Sequence, residues 1–114
     1  MILKGAKKRH QRLEEELRRL LPLLRRHPRV RRVILFGSLA KGVVGLASDI
    51  DLIVVMETSK RFLDRLDEIY RFLEPKVALD LLVYTPEEFE RMRRGNPFVR
   101  AALKEGEVLY EADP

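Results

Sequence analysis

Cysteine and tryptophan are absent from the sequence, and side-chain amides are limited to Gln11 and Asn96. Without cysteine, the protein has no disulfides, zinc–thiolate sites or cysteine nucleophiles. No apolar run approaches the roughly 20 residues that a membrane helix needs, and the basic start lacks the apolar stretch and cleavage site of a signal peptide. We therefore expect a cytoplasmic protein that does not associate with a membrane, folded as one domain over residues 1–114.

Arginine, in contrast, is abundant and outnumbers lysine 16 to 7. With so few amides, this charge-rich composition favours a heat-adapted, thermophile source. The charge is uneven, because residues 1–32 hold 12 Lys and Arg against 3 Glu (net +9), whereas residues 33–114 hold 11 against 15 (net −4). Such a basic segment forms a solvated helix face, which is the favoured interpretation, or binds a polyanion or an acidic partner. Nucleic acid is the least favoured partner, since no aromatic residues are interleaved to stack on bases.

The periodicity of the apolar residues predicts an α+β fold, a small mixed β-sheet of about four strands packed with helices. The predicted strands are Val30–Phe36, Ile50–Met56, Val77–Tyr84 and Val108–Glu111. The predicted helices are residues 7–26 ahead of Pro28, a single turn at Leu39–Lys41, a segment capped by Thr58 or Ser59 and closed by Pro75, a segment from Thr85 to Gly95, and one from Asn96 to Gly106. Val43–Ala47 is predicted as a loop, and the strand Ile50–Met56, apolar on both faces, as a central one.

Three aspartates stand at or within these strands. Because successive side chains of a strand alternate between its faces, Asp49 and Asp51 should share one face at the entry to an apolar strand. Carboxylates this close repel each other, and a divalent cation between them removes that cost. Asp80 interrupts another apolar strand, where an unpaired buried charge would be expensive. Beside the other two, it would complete a cluster of oxygen ligands suited to two Mg²⁺ ions, or to Mn²⁺ in their place.

A cluster of this kind could hold two metal ions a few ångströms apart. One ion would lower the pKa of an attacking hydroxyl, and the other would neutralise a triphosphate and the departing pyrophosphate. We assign Asp80 to the nucleophile side, as a metal ligand and a candidate general base. Each aspartate also has an ordinary alternative: Asp49 could be a turn residue, Asp51 a surface charge at a strand end, and Asp80 part of an edge strand that faces water.

The turn after the first strand is a candidate phosphate site. Gly37 allows positive φ and a close approach of the backbone to a ligand. Ser38 opens a short helix whose free N–H groups and hydroxyl could bind phosphate, although an ordinary strand-to-helix turn would have the same sequence. Lys41 could neutralise phosphate charge or simply be solvated, with neither favoured. Ser48 is a further candidate nucleotide ligand, but a local cap of the Asp49 turn is its favoured interpretation.

The two polar segments also carry a family resemblance. Gly37–Gly42 reads GSLAKG, and Ser48–Val54 reads SDIDLIV. These segments and their spacing resemble the GSxAxG…SDxDL signature of the polymerase-β-type nucleotidyltransferase superfamily. The chain is most similar to the minimal nucleotidyltransferase branch, whose members are about this size. The resemblance covers about residues 30–84, and the later helices fit more loosely.

The resemblance implies roles for these residues. In that family the Gly-Ser turn, here Gly37-Ser38, contacts the triphosphate. The metal-binding aspartates of the family match Asp49, Asp51 and Asp80. Many members carry arginine at the position of Lys41, where lysine keeps the charge but loses the bidentate fork.

The resemblance also implies a biological setting. Members of this branch are often paired with a small all-helical HEPN-domain protein, in a module that resembles a toxin–antitoxin pair. The substrate would then be ATP or another NTP, and the acceptor a hydroxyl of the helical partner. The alternative is a non-catalytic antitoxin that neutralises its partner by binding, motivated by the Leu13–Leu24 stripe and the basic face of the first helix. Formation of a homo-oligomer through exposed Leu or Phe side chains is left open.

Overall fold

The structure, a computed structural model, describes residues 4–45 and 48–113. Across these two ranges the chain forms five helices and four strands. In chain order they are α1 (Lys4–Arg26), β1 (Val30–Phe36), α2 (Gly37–Lys41), β2 (Ile50–Met56), α3 (Phe62–Leu73), β3 (Leu79–Tyr84), α4 (Pro86–Gly95), α5 (Pro97–Glu105) and β4 (Glu107–Glu111). Within the described ranges, no helix has the length and apolar character needed to cross a membrane.

The strands form one mixed sheet in the order β3-β2-β1-β4. β1 is antiparallel to both β2 and β4, whereas β2 and β3, which are connected through α3, run parallel. The predicted fold class, the mixed sheet and the central position of β2 are confirmed. The central position follows from composition, because β2 is apolar on both faces and six of its seven residues are buried.

Helices cover both faces of this sheet. On one face, α1 and α3 pack over a core that includes Leu20, Leu52 and Ile69, all fully buried. On the other face, α4 and α5 pack over a smaller cluster that includes Ile53 and Val99. Neighbouring residues of β2 alternate between the two clusters, as the two-residue period of a strand requires. The same alternation determines which face carries the polar residues at the start of β2.

The leucine stripe of α1 belongs to the protein's own core. Leu13, Leu20 and Leu24 are completely buried, and Leu17 and Leu21 are partly buried against the same cluster. Burial of each leucine side chain stabilises the fold by about 1.5–3 kcal/mol. The stripe therefore offers no docking surface to another protein, and this motive for a binding-only role is wrong.

The cap predicted for α3 is also wrong. The hydroxyl of Thr58 accepts a hydrogen bond from the backbone N–H of Lys60 at 3.0 Å. The N-cap residue is Arg61, whose side chain makes no capping hydrogen bond. Thr58 thus forms a local turn, an alternative to capping that Ser and Thr side chains readily adopt, and Ser59 also lies ahead of the helix.

Other boundaries shift by a few residues. α1 begins at Lys4, three residues before the predicted start, and β3 begins at Leu79, two residues after it. α2 already includes Gly37, so the single predicted turn is slightly longer. Val43–Gly45 lies in a loop as predicted, whereas Leu46-Ala47 lies outside the described residues.

The predicted start of α4 is confirmed in detail. The Thr85 hydroxyl accepts from the N–H of Glu88 at 3.2 Å, and the Glu88 carboxylate accepts from the N–H of Thr85 at 2.9 Å. Glu88 also receives two hydrogen bonds from the buried Arg65 of α3, at 2.6 and 3.1 Å. Arg65 donates to the carbonyl of Val83 as well. This network fixes α3, β3 and the start of α4 to one another.

Candidate active site

Asp51 and Asp80 are neighbours at the start of two parallel strands. They are register partners in the β2–β3 pairing, so their side chains share one face of the sheet, the face on which α4 and α5 pack. Burial raises the pKa of Asp51 to about 6, and a hydrogen bond and repulsion from Asp80 add to the rise, as does the charge of Asp49. Asp80 itself is exposed, because β3 is an edge strand. The neighbouring carboxylate of Asp80 thus opposes the ionisation of Asp51.

The backbone of Gly37 lies against the Asp51 carboxylate. Phe36, the residue before it, is the register partner of Asp51 in the β1–β2 pairing. Gly37 has a φ of +72°, which L side chains rarely adopt, and a Cβ at this position would overlap Asp51 Oδ2. Two constraints therefore require glycine at this position: the positive φ of the backbone and its close approach to the Asp51 carboxylate. The result is that the Gly37-Ser38 turn adjoins the carboxylate pair.

Asp49 has a different partner. Arg9 of α1 donates from Nε to the carbonyl of Ser48 at 2.9 Å, and its Nη2 lies 3.5 Å from Asp49 Oδ1. Within residues 4–45 and 48–113, no three acidic, histidine or cysteine side chains lie close enough together to hold one metal ion. The structure thus brings Asp51 and Asp80 together and places Asp49 beside Arg9.

Lys41 and Ser48, the two remaining candidate ligands of the nucleotide, bind other residues of the protein. Lys41 Nζ lies 2.8 Å from Glu105 Oε2, so this ion pair links α2 to α5. Ser48 Oγ accepts a hydrogen bond from the backbone N–H of Gly45 at 2.9 Å. That local bond agrees with the favoured interpretation of Ser48 as a cap within the turn. These bonds direct Lys41 to Glu105 and Ser48 to Gly45, not to the Asp51–Asp80 pair.

The chemistry of the Asp51–Asp80 pair fits a divalent cation. Both side chains offer carboxylate oxygens, the ligands that Mg²⁺ and Mn²⁺ prefer. Burial and the neighbouring Asp80 carboxylate raise the pKa of Asp51, and a bound cation would favour its ionised form.

A match over most of the chain identifies the family. A family model described as a nucleotidyltransferase domain matches residues 10–110. The chain belongs to the nucleotidyltransferase domain family. The match includes both the Gly37 turn and the carboxylate pair, and it places the protein among transferases. Among proteins with curated descriptions, none matches the sequence of this nucleotidyltransferase.

The nucleotidyltransferase shares its fold with solved proteins of low sequence identity. A protein from Sulfolobus solfataricus that is assigned as a nucleotidyltransferase superposes with a TM-score of 0.66 at 21% identity, covering 96% of this chain and 90% of that chain. A toxin–antitoxin protein solved with AMP-PNP superposes with a TM-score of 0.50 at 18% identity, covering 91% of this chain and 74% of that chain. At these identities the likeness establishes the fold alone.

Three residues near the site of this nucleotidyltransferase lie outside the sequence motif that predicted the site. The first is Arg9, for which the basic N-terminal segment was only a general indication. The second is Phe98 of α5, 60% exposed, whose ring packs edge-to-face on Phe36 at 6.0 Å. The third is Tyr70 of α3, which donates its hydroxyl to the backbone of β3. Burial and the charge of Asp80 raise the pKa of Tyr70.

Proposed function

We propose that this nucleotidyltransferase is a Mg²⁺-dependent enzyme that transfers an NMP, AMP from ATP in the first instance, to a hydroxyl group. The observation that carries the proposal is the juxtaposition of the Asp51 and Asp80 carboxylates with the Gly37-Ser38 turn. The pair supplies anionic oxygen ligands. The Gly37-Ser38 turn adjoins this pair, with the backbone of Gly37 against the Asp51 carboxylate.

In the proposed reaction, the acceptor hydroxyl oxygen forms a bond to the α-phosphorus of the NTP. The bond from the α-phosphorus to the bridging oxygen breaks, and pyrophosphate leaves with the electron pair. Asp80, exposed at the sheet edge, accepts the hydroxyl proton, and Ser38 donates its hydroxyl to a phosphate oxygen. Asp51 and Asp80 would hold Mg²⁺, which when bound lowers the pKa of the attacking hydroxyl and neutralises charge on the triphosphate.

We further propose that the acceptor hydroxyl lies on a second protein, a small helical partner of HEPN type, with which the chain forms a toxin–antitoxin pair. The likeness of fold to the toxin–antitoxin protein solved with AMP-PNP supports this setting, as does the resemblance to minimal nucleotidyltransferases. This step is by analogy.

The test is transfer of label. The protein is incubated with ATP labelled at the α-phosphate, Mg²⁺ and the helical protein encoded by the neighbouring gene, and the label should appear on that protein. Asp51→Asn should lower the rate by at least about 100-fold, because a metal ligand is lost. Asp64→Asn, an exposed aspartate in the first turn of α3, should leave it unchanged. Absence of transfer from all four NTPs, with Mg²⁺ or Mn²⁺ and folded protein, would contradict the proposal.

A binding-only antitoxin is the competing function. It predicts that the double variant Asp51→Asn/Asp80→Asn neutralises the partner toxin as fully as the wild type does. Catalytic neutralisation predicts that this variant binds the toxin but no longer silences it. We favour transfer, because the leucine stripe that motivated the binding role is buried in the core.

A further inference from the structure

Arg9 reaches the aspartate motif from a distant part of the chain. Its Nε donates to the carbonyl oxygen of Ser48 at 2.9 Å, and its Nη2 lies 3.5 Å from Asp49 Oδ1. The contact is partly shielded from water, since the Arg9 side chain is 20% exposed and that of Asp49 is 34% exposed. Arg9 therefore has one firm anchor on the backbone and one longer, weaker contact with a charge.

The helix that carries Arg9 is packed into the core on both sides of this contact. Ala6 and Leu13, on either side of Arg9 in α1, are buried in the core. Further along the same helix, Glu16 accepts a hydrogen bond from the N–H of Lys76, which ties α1 to the segment before β3. Asp49, in contrast, precedes the first residue of β2. The contact between Arg9 and Asp49 joins two side chains, so it can break without movement of α1.

The guanidinium group of Arg9 competes with a metal ion for the same carboxylate. A divalent cation that takes Asp49 as a ligand must therefore displace this group. We propose that Arg9 is a positioning residue that holds Asp49 apart from the Asp51–Asp80 pair and releases it when a divalent cation binds. This inference rests on the proposed function, because it requires a metal ion at that pair. Arg9 stays anchored on the carbonyl of Ser48.

The test measures Mn²⁺ binding without nucleotide, by the electron paramagnetic resonance signal of the free ion. Arg9→Ala should bind Mn²⁺ about two- to fivefold more tightly than the wild type, because a partly exposed ion pair no longer has to be broken. Arg12→Ala is the matched control. It removes the same charge one turn along α1, but Arg12 contacts the carbonyl of Lys76 instead of Asp49, and it should change the affinity little.

Two further variants separate the contact with Asp49 from other effects. Arg9→Gln removes the charge but keeps a side-chain donor for the carbonyl of Ser48, so it should tighten Mn²⁺ binding even where Arg9→Ala fails to fold. In an Asp49→Asn background, Arg9→Ala should have no effect, because the carboxylate that it releases is gone. Tightening that persists in this background would overturn the positioning role.

The outcomes also separate this inference from the proposed function. Unchanged or weaker Mn²⁺ binding by folded Arg9→Ala, or equal tightening by Arg12→Ala, overturns the role of Arg9. If Asp51→Asn abolishes Mn²⁺ binding at the same time, the metal site itself stands. Absence of Mn²⁺ binding by the wild type and all variants overturns both the metal site and the role of Arg9.

Discussion

Replacement of Gly37 by alanine tests whether the turn and the carboxylate pair form one unit, and Gly42 offers a matched control. Both glycines have a φ of +72°, so alanine at either position must adopt the left-handed region, at a cost of about 1–2 kcal/mol. Their surroundings differ. A Cβ at Gly42 would have nothing within 4 Å, whereas a Cβ at Gly37 would overlap the carboxylate of Asp51.

The overlap adds to the cost of backbone strain at Gly37. Forcing a side chain out of a packed position costs about 1–3 kcal/mol. We therefore expect Gly42→Ala to lose about 1–2 kcal/mol of unfolding free energy and Gly37→Ala about 2–5 kcal/mol, measured by urea unfolding at neutral pH with EDTA. Gly37→Ala should also weaken Mn²⁺ binding by at least about tenfold, because Asp51 is displaced. Gly42→Ala should bind Mn²⁺ as the wild type does.

The same two glycine substitutions can also be compared in a protein that lacks the Asp51 carboxylate. In an Asp51→Ala protein there is no carboxylate to overlap, so the difference in cost between the two glycine substitutions should become smaller. Equal losses in the wild-type background, or full Mn²⁺ affinity of folded Gly37→Ala, would refute the idea that Gly37 sets the position of Asp51.

Three further predictions concern charge, buried hydrogen bonds and an exposed ring. Because the folded protein raises the pKa of Asp51 to about 6, ionisation of Asp51 costs stability. In EDTA, the unfolding free energy of the wild type should fall relative to that of Asp51→Asn as the pH rises from about 4 to about 7, and a constant difference would contradict this. Arg65→Ala should lose about 2–3 kcal/mol because it breaks charged hydrogen bonds of a buried side chain, whereas Arg71→Ala, whose ion pair is exposed, should lose less than about 1 kcal/mol in the same unfolding assay. Phe98→Ala should raise KM at least about fivefold by removing a stacking surface, while Leu63→Ala, 74% exposed on α3, should not, and equal effects in steady-state kinetics would refute a specific role for the ring.

Most of the fold could be predicted because its signals are local. β2 is apolar on both faces and occupies the centre of the sheet. Thr85 and Glu88 carry a capping box that starts α4. The failure at α3 has a local cause as well, since Thr58 can either cap a helix or form a turn with Lys60, and the sequence does not distinguish these uses.

The candidate site was predictable only in part. The alternation of strand residues and the family resemblance indicated that Asp51 and Asp80 belong together, and parallel pairing in register places them side by side. The contact of Arg9 with Asp49 joins α1 to the start of β2, and no periodic pattern in the sequence predicts a contact between such distant residues. The exposed edge position of Asp80 depends on strand order, which the sequence left undetermined.

The most direct test of the central claim is a crystal structure with Mn²⁺ and an ATP analogue that cannot be cleaved between the α- and β-phosphates, with the metal located by its anomalous scattering. We expect Mn²⁺ at coordination distance, roughly 2 Å, from carboxylate oxygens of both Asp51 and Asp80, with the phosphates against the Gly37 turn and Asp49 released from Arg9. Mn²⁺ bound to the phosphates alone, with Asp51 and Asp80 outside its coordination shell, would contradict the claim that this carboxylate pair is the metal site.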